Sequence, residues 1–143
     1  MTSKPRIHQH PRRPLLQLSP RQWWVLSSAY AGLIAIGAVV PIPPEAGAQV
    51  PSLDKVVHVC EYALLAWCLM RAARASEWSG RTIPLTIGLV CISYGMLLEG
   101  VQTLLPYRSA EWLDAAANTV GTGLGLWVSV GRPRRNRTEP RDI

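Results

Sequence analysis

Charge is what this 143-residue chain lacks over long stretches. No Asp, Glu, Lys or Arg falls between Gln22 and Pro44, between Thr82 and Leu98, or between Ala115 and Gly131. A helix of a soluble domain keeps polar residues along its outer face. Runs of this length without such a face exclude a water-soluble helical domain and make lipid the solvent. The apolar share, 48%, is ordinary; the segregation of charge carries the inference. Other absences exclude chemistry. There is no CxxC pair and no Cys/His zinc spacing. There is also no GxSxG, P-loop or HExxH motif. No nucleotide, haem or redox cofactor is therefore expected. The net charge of +6 does not point to nucleic acid, because the basic residues flank the apolar runs as membrane topology requires and do not interleave with aromatics on a binding face.

Four apolar spans are predicted, at about 22–40, 53–73, 83–105 and 111–130. Each is long enough to cross ~30 Å of hydrocarbon at about 1.5 Å per residue. Trp23 and Trp24 open the first, at a depth that indoles prefer, and Pro41, Pro43 and Pro44 close it. Pro106 closes the third. Thirteen of the fifteen Lys and Arg residues lie in the N-terminal tail (residues 1–21), the loop between spans two and three, and the C-terminal tail (residues 132–143). In a four-span chain these segments share one side, which the positive-inside rule makes cytoplasmic. The expectation is an all-α, multi-pass protein of the cytoplasmic membrane: a four-transmembrane-helix bundle over 22–131 with both termini cytoplasmic. Its basic tails are expected to be disordered and to lie against anionic lipid headgroups. The first span reads as an uncleaved signal anchor; the alternative is cleavage after Ala46-Gly47-Ala48. Cys60, Cys68 and Cys91 fall inside apolar spans and read as small buried side chains, with Cys60 and Cys68 roughly on one helical face.

Ionisable residues inside membrane spans are costly and mark functional sites by default. Here they cluster. Asp54, His58 and Glu61 share a face of the second span, Glu99 and Gln102 a face of the third, and Asp114 and Asn118 a face of the fourth. All are predicted within roughly the outer ~10 Å of the membrane, with Lys55 and Arg108 at the mouth. Gly121 and Gly125 continue the fourth-span face as a strip that admits another helix, within or between protomers. Four readings follow. One is a purely structural polar network. Another is a site for a polar or anionic headgroup, held by Arg108, Lys55 and His58. The third is acid/base chemistry, with His58, Glu99 and Asp114 as catalytic candidates. The last is a cation held by His58, Glu61, Glu99 and Asp114, disfavoured because no second His lies at that depth; no metal site is assigned.

Asp54-Lys55-x-x-His58-x-x-x-Tyr62, Glu99-x-x-Gln102-x-x-x-Pro106-x-Arg108 and Asp114-x-x-x-Asn118-x-x-Gly121-x-x-x-Gly125 resemble, in order and spacing, three motifs of the VanZ-like membrane proteins. The resemblance covers about Leu53 to Gly131. It implies a compact multi-helix membrane fold and a link to glycopeptide antibiotics, since the family's namesake is associated with low-level teicoplanin resistance that leaves the cell-wall peptide terminus unchanged. The ligand-binding candidates are Asp54, Lys55, His58, Glu61, Tyr62, Glu99, Gln102, Arg108, Asp114 and Asn118. The leading expectation is a cell-envelope accessory that binds a lipid-linked or headgroup ligand, with membrane lipids and a lipid-linked envelope precursor as partners. Behind it stand an intramembrane enzyme acting on such a lipid and, last, a proton-coupled carrier, for which repeats and broken helices are missing.

Overall fold

The computed structural model describes residues 18–41, 51–108 and 111–131. Residues 1–17 of the basic N-terminal tail, the C-terminal tail from Arg132 and the loop containing Pro43, Pro44 and Ala46-Gly47-Ala48 lie outside them, as do the expectations for their disorder and for cleavage; Ser19, Pro20 and Arg21, expected in the disordered tail, instead cap and open the first helix. The described residues form four helices and no strand: α1 (Pro20–Val39), α2 (Pro51–Ala75), α3 (Ile83–Gln102) and α4 (Trp112–Val130). Three of them, α1, α2 from Leu53, and α3, are long and apolar enough to cross a membrane. The fourth has the length, but Asn118, Thr119, Thr122 and three glycines dilute its apolar content.

Local signals explain the helix limits. α1 opens on a capping box: Gln22 N–H donates to Ser19 Oγ at 3.3 Å, and Ser19 N–H donates to Gln22 Oε1 at 2.8 Å. Pro20 occupies the first turn, where its missing N–H costs nothing. α3 ends at Gln102, three residues short of the expected Leu105. Pro106 has no N–H to offer the Gln102 carbonyl, and it restricts Leu105. The chain tightens instead, with Leu104 N–H donating to Val101 and Leu105 N–H to Gln102, both at 3.0 Å.

α2 leaves its last turn through a Schellman closure. Trp78 N–H reaches the Ala73 carbonyl at 3.0 Å and Glu77 N–H the Arg74 carbonyl at 3.2 Å. The donor of the second bond, Glu77, has φ of 60°, a left-handed conformation that glycine adopts freely and L-residues adopt at a cost. Glu77→Gly is therefore expected to raise stability by about 0.5–1 kcal/mol. A thermal melt in detergent showing a lower midpoint than wild type would contradict this.

α2 is the central helix, packed on α1, α3 and α4, while α1 does not touch α4. The bundle is inside-out relative to a soluble protein. Ser27, Gln102, Asp114, Asn118, Thr122 and Ser129 are buried, whereas Leu33, Ile36, Leu85, Leu89, Met96, Leu97, Val120 and Leu124 are exposed. The interior also holds a hydrophobic cluster around Tyr62, Leu65, Met70 and Ile87, so what sets the bundle apart is its apolar exterior together with buried polar and small residues at the helix contacts, as lipid allows. Gly121 and Gly125 make the closest approach. A Cβ on Gly121 would run into the Val59 carbonyl, and one on Gly125 into the Ala63 carbonyl. The glycine strip thus packs against α2 within the chain. At the same level as the first turn of α1, Trp23 meets Trp67 edge-on at 5.6 Å, with the Arg71 guanidinium 5.2 Å from the Trp23 ring centre. Trp24 donates to Ser76 Oγ at 3.0 Å and lies against Trp78.

The cysteine expectation needs one correction. Cys68 and Cys91 are buried, and Cys60 is exposed. Eight residues at 3.6 per turn leave Cys60 and Cys68 about 80° apart around α2, enough to turn Cys60 outward beside Val56, Val57 and Leu64.

Candidate functional site

The polar residues gather where the C-terminal ends of α1 and α3 meet the N-terminal ends of α2 and α4. A partly open cavity of about 140 Å³ lies there, walled by all four helices. α2 contributes Asp54, His58, Glu61 and Tyr62, α3 contributes Glu99 and Gln102, and Arg108 follows α3. Asn118 comes from α4. Eight of the ten candidate ligand residues thus share one cavity. The other two, Lys55 and Asp114, are not in its lining.

Those two hold α4 to α2. Lys55 Nζ lies 2.9 Å from Glu111 Oε2 and 3.2 Å from Asp114 Oδ1, and Asp114 is buried. Both carboxylates sit at the start of α4, where the helix dipole favours negative charge. One turn further in, His58 Nδ1 lies 3.0 Å from Asn118 Oδ1. An amide oxygen only accepts, so Nδ1 carries the proton. His58 Nε2 then faces Asp54 Oδ1 at 3.9 Å, beyond hydrogen-bond reach. Ligand atoms of Asp54, His58 and Asp114 lie within 4.8 Å of one another. The grouping that could take a cation is therefore Asp54–His58–Asp114 and not the expected set with Glu61 and Glu99, and the Lys55 ammonium already occupies Asp114.

Tyr62 is fully buried beneath the cavity. A Cβ on Gly95 would come within 3.1 Å of its hydroxyl and 3.0 Å of Asn118 Nδ2, so the missing side chain makes room for both polar groups.

Arg108 has a different setting from the one its position suggests. Its Nη2 donates to the carbonyls of Gly37 at 2.7 Å and Val40 at 3.0 Å. Gln102 donates to Ala38 O at 3.1 Å and Tyr107 to Val39 O at 2.9 Å. The last carbonyls of a helix have no partner within it; here side chains from the end of α3 and the turn after it serve Gly37, Ala38 and Val39 at the end of α1 and the C-cap residue Val40, while the Ile36 carbonyl accepts from Val40 N–H. Ile34, Gly37 and Ala38 of α1 also line the cavity. Sequence reasoning gave α1 no part in the site, because a helix that contributes backbone acceptors and small side chains carries no ionisable signature.

Not every polar atom is matched. Glu99 Oε2 and Arg108 Nε are buried without a hydrogen-bond partner among the described residues. The third such atom among the described residues, Thr122 Oγ1, lies on α4 outside the cavity lining.

A family model described as VanZ/LLP1 matches residues 2–131. The chain belongs to the VanZ/LLP1 family. The VanZ/LLP1 match begins well before Leu53, where the three motifs start, so α1 and the basic segment ahead of it are part of the family pattern. The helix whose carbonyls Arg108 holds is thus as much a VanZ/LLP1 feature as the residues that hold it. No curated protein and no solved structure matches this VanZ/LLP1 chain.

Proposed function

We propose that this VanZ/LLP1 protein is a cell-envelope accessory of the cytoplasmic membrane that takes the headgroup of a lipid, or of a lipid-linked envelope precursor, into its cavity from the outer leaflet. In this reading all four helices span the membrane, both termini are cytoplasmic, and the cavity faces outward. The distribution of Lys and Arg supports the orientation. The span by α4 is supported by its burial of Asp114, Asn118 and Thr122 against the rest of the bundle while Val120, Leu124 and Val128 stay exposed.

The observation that carries the proposal is the cavity itself: it is walled by four helices, it sets ionisable side chains into a largely apolar lining, and two of them, Glu99 and Arg108, keep an unmet hydrogen bond. Its size supports a headgroup over a whole ligand, since pockets for complete small molecules run to about 300–1,000 Å³. A link to teicoplanin-type resistance rests on family likeness alone.

Binding to the purified full chain in nanodiscs tests the reading, with phospholipids and lipid-linked wall precursors as ligands. His58→Ala and Glu99→Gln are the informative variants, because Arg108 also holds α1. Each is expected to weaken binding about tenfold, the worth of one hydrogen bond to a charged group. A chain that binds no lipid above empty nanodiscs, or binds equally well in both variants, sinks the proposal.

A further inference from the structure

The lining of the cavity also bears on which part of a headgroup enters, an inference that rests on the headgroup reading above. Three carboxylates, Asp54, Glu61 and Glu99, face one guanidinium, Arg108. That guanidinium is already committed through Nη2 to two α1 carbonyls. Lys55 is paired with Glu111 and Asp114 and does not line the cavity. His58 Nδ1 is engaged in a hydrogen bond to Asn118 Oδ1. The cavity therefore holds more negative than positive charge, and Glu99 keeps a buried oxygen without a partner among the described residues.

Glu61 and Glu99 are partly withdrawn from water and Asp54 stands exposed at the rim, and a carboxylate that loses water gains from a compensating charge and from donors for its lone pairs. An anionic group entering this space would add to the imbalance; a cationic donor corrects it. We infer that the group admitted to the cavity is a primary ammonium, carried on an aminophospholipid-type headgroup. Three N–H donors on one small cation suit a set of acceptor-only carboxylates. The ethyl stem matches apolar lining from Ile34, Val57 and Leu98. The phosphate that follows the ammonium in such a headgroup stays outside the cavity, at its open side. A quaternary ammonium has the charge but no N–H to donate, and a glycerol headgroup has donors but no positive charge.

The test is retention measured by native mass spectrometry of the full chain in detergent. The probes are phosphatidylethanolamine, phosphatidylcholine and phosphatidylglycerol with identical acyl chains. The ethanolamine lipid is expected to be retained about tenfold over the other two. Glu99→Gln and Glu61→Gln should bring the three lipids toward parity, with thermal midpoints in detergent reporting that the variants remain folded. Equal retention of all three lipids overturns the inference, as does preference for the glycerol lipid or an ethanolamine preference that survives in both variants. Mn²⁺ or Zn²⁺ binding on its own, lost in Glu99→Gln and abolishing the lipid preference, assigns the cation to a metal and overturns it too. If a lipid-linked precursor binds through His58 with no amine preference, this inference falls and the headgroup reading stands. If no lipid binds, both fall.

Discussion

Gly121→Val is expected to cost about 3 kcal/mol, the upper end of what overpacking a filled interior does. The new side chain meets the Val59 carbonyl, which belongs to the backbone of a continuous helix and has no rotamer to change. α4 must then move away from α2, and the pairs Lys55–Asp114 and His58–Asn118 cross that same interface. Stability and site should fail together. Gly125→Val should behave alike against Ala63, whereas a Cβ on Gly123 has open space around it, so Gly123→Ala is the matched control and should melt like wild type or slightly above it. Detergent melts that show the same midpoint for Gly121→Val and Gly123→Ala would dismiss the close approach of α2 and α4.

The second large effect is expected at Arg108. Truncation to alanine removes a charged donor from two α1 carbonyls, and hydrogen bonds to charged groups contribute about 1.5–3 kcal/mol each before allowing for solvent at this partly exposed position. A net loss of about 2 kcal/mol is expected. Tyr107→Phe deletes one neutral bond to Val39 and should cost about 1 kcal/mol. The two variants share one cap, so the double variant should lose less than the sum. Strict additivity in a double-mutant cycle would argue that the carbonyls at the end of α1 are served independently, by water or headgroups, and not by this cluster.

Much of this arrangement was legible beforehand. The charge-free runs located α1, α3 and α4 to within a few residues; α2, which carries Asp54, Lys55, Glu61 and Arg71, has no such run. The spacing of Asp54, His58 and Glu61, of Glu99 and Gln102, and of Asp114 and Asn118 marked the faces that meet in the cavity. What stayed hidden was partner choice. Nothing in the types or spacing of residues told Lys55 to pair with Glu111 and Asp114 while Arg108 turned to the backbone of α1. Carbonyl acceptors are the same in every residue, so a cap supplied from another helix leaves no trace at the helix that receives it. The early end of α3 was missed for a related reason. Pro106 forbids the helix at a distance of four residues, not only at its own position. The outward turn of Cys60 was a matter of counting around the helix.

The central place of α2 also bears on how the chain is made. Synthesis delivers Asp54, His58 and Glu61 to the membrane well before Asp114 and Asn118 exist, with all of α3 in between. During that interval the most polar face of α2 lacks the partners that later cover it, and such a face is poorly tolerated by lipid. α2 is apolar enough to cross a membrane by itself, so the order of synthesis puts the cost in the interval before α4: His58 waits for Asn118, and Lys55 for Glu111 and Asp114. A chain that stops before α4 is expected to leave that face of α2 without the partners that the finished bundle gives it.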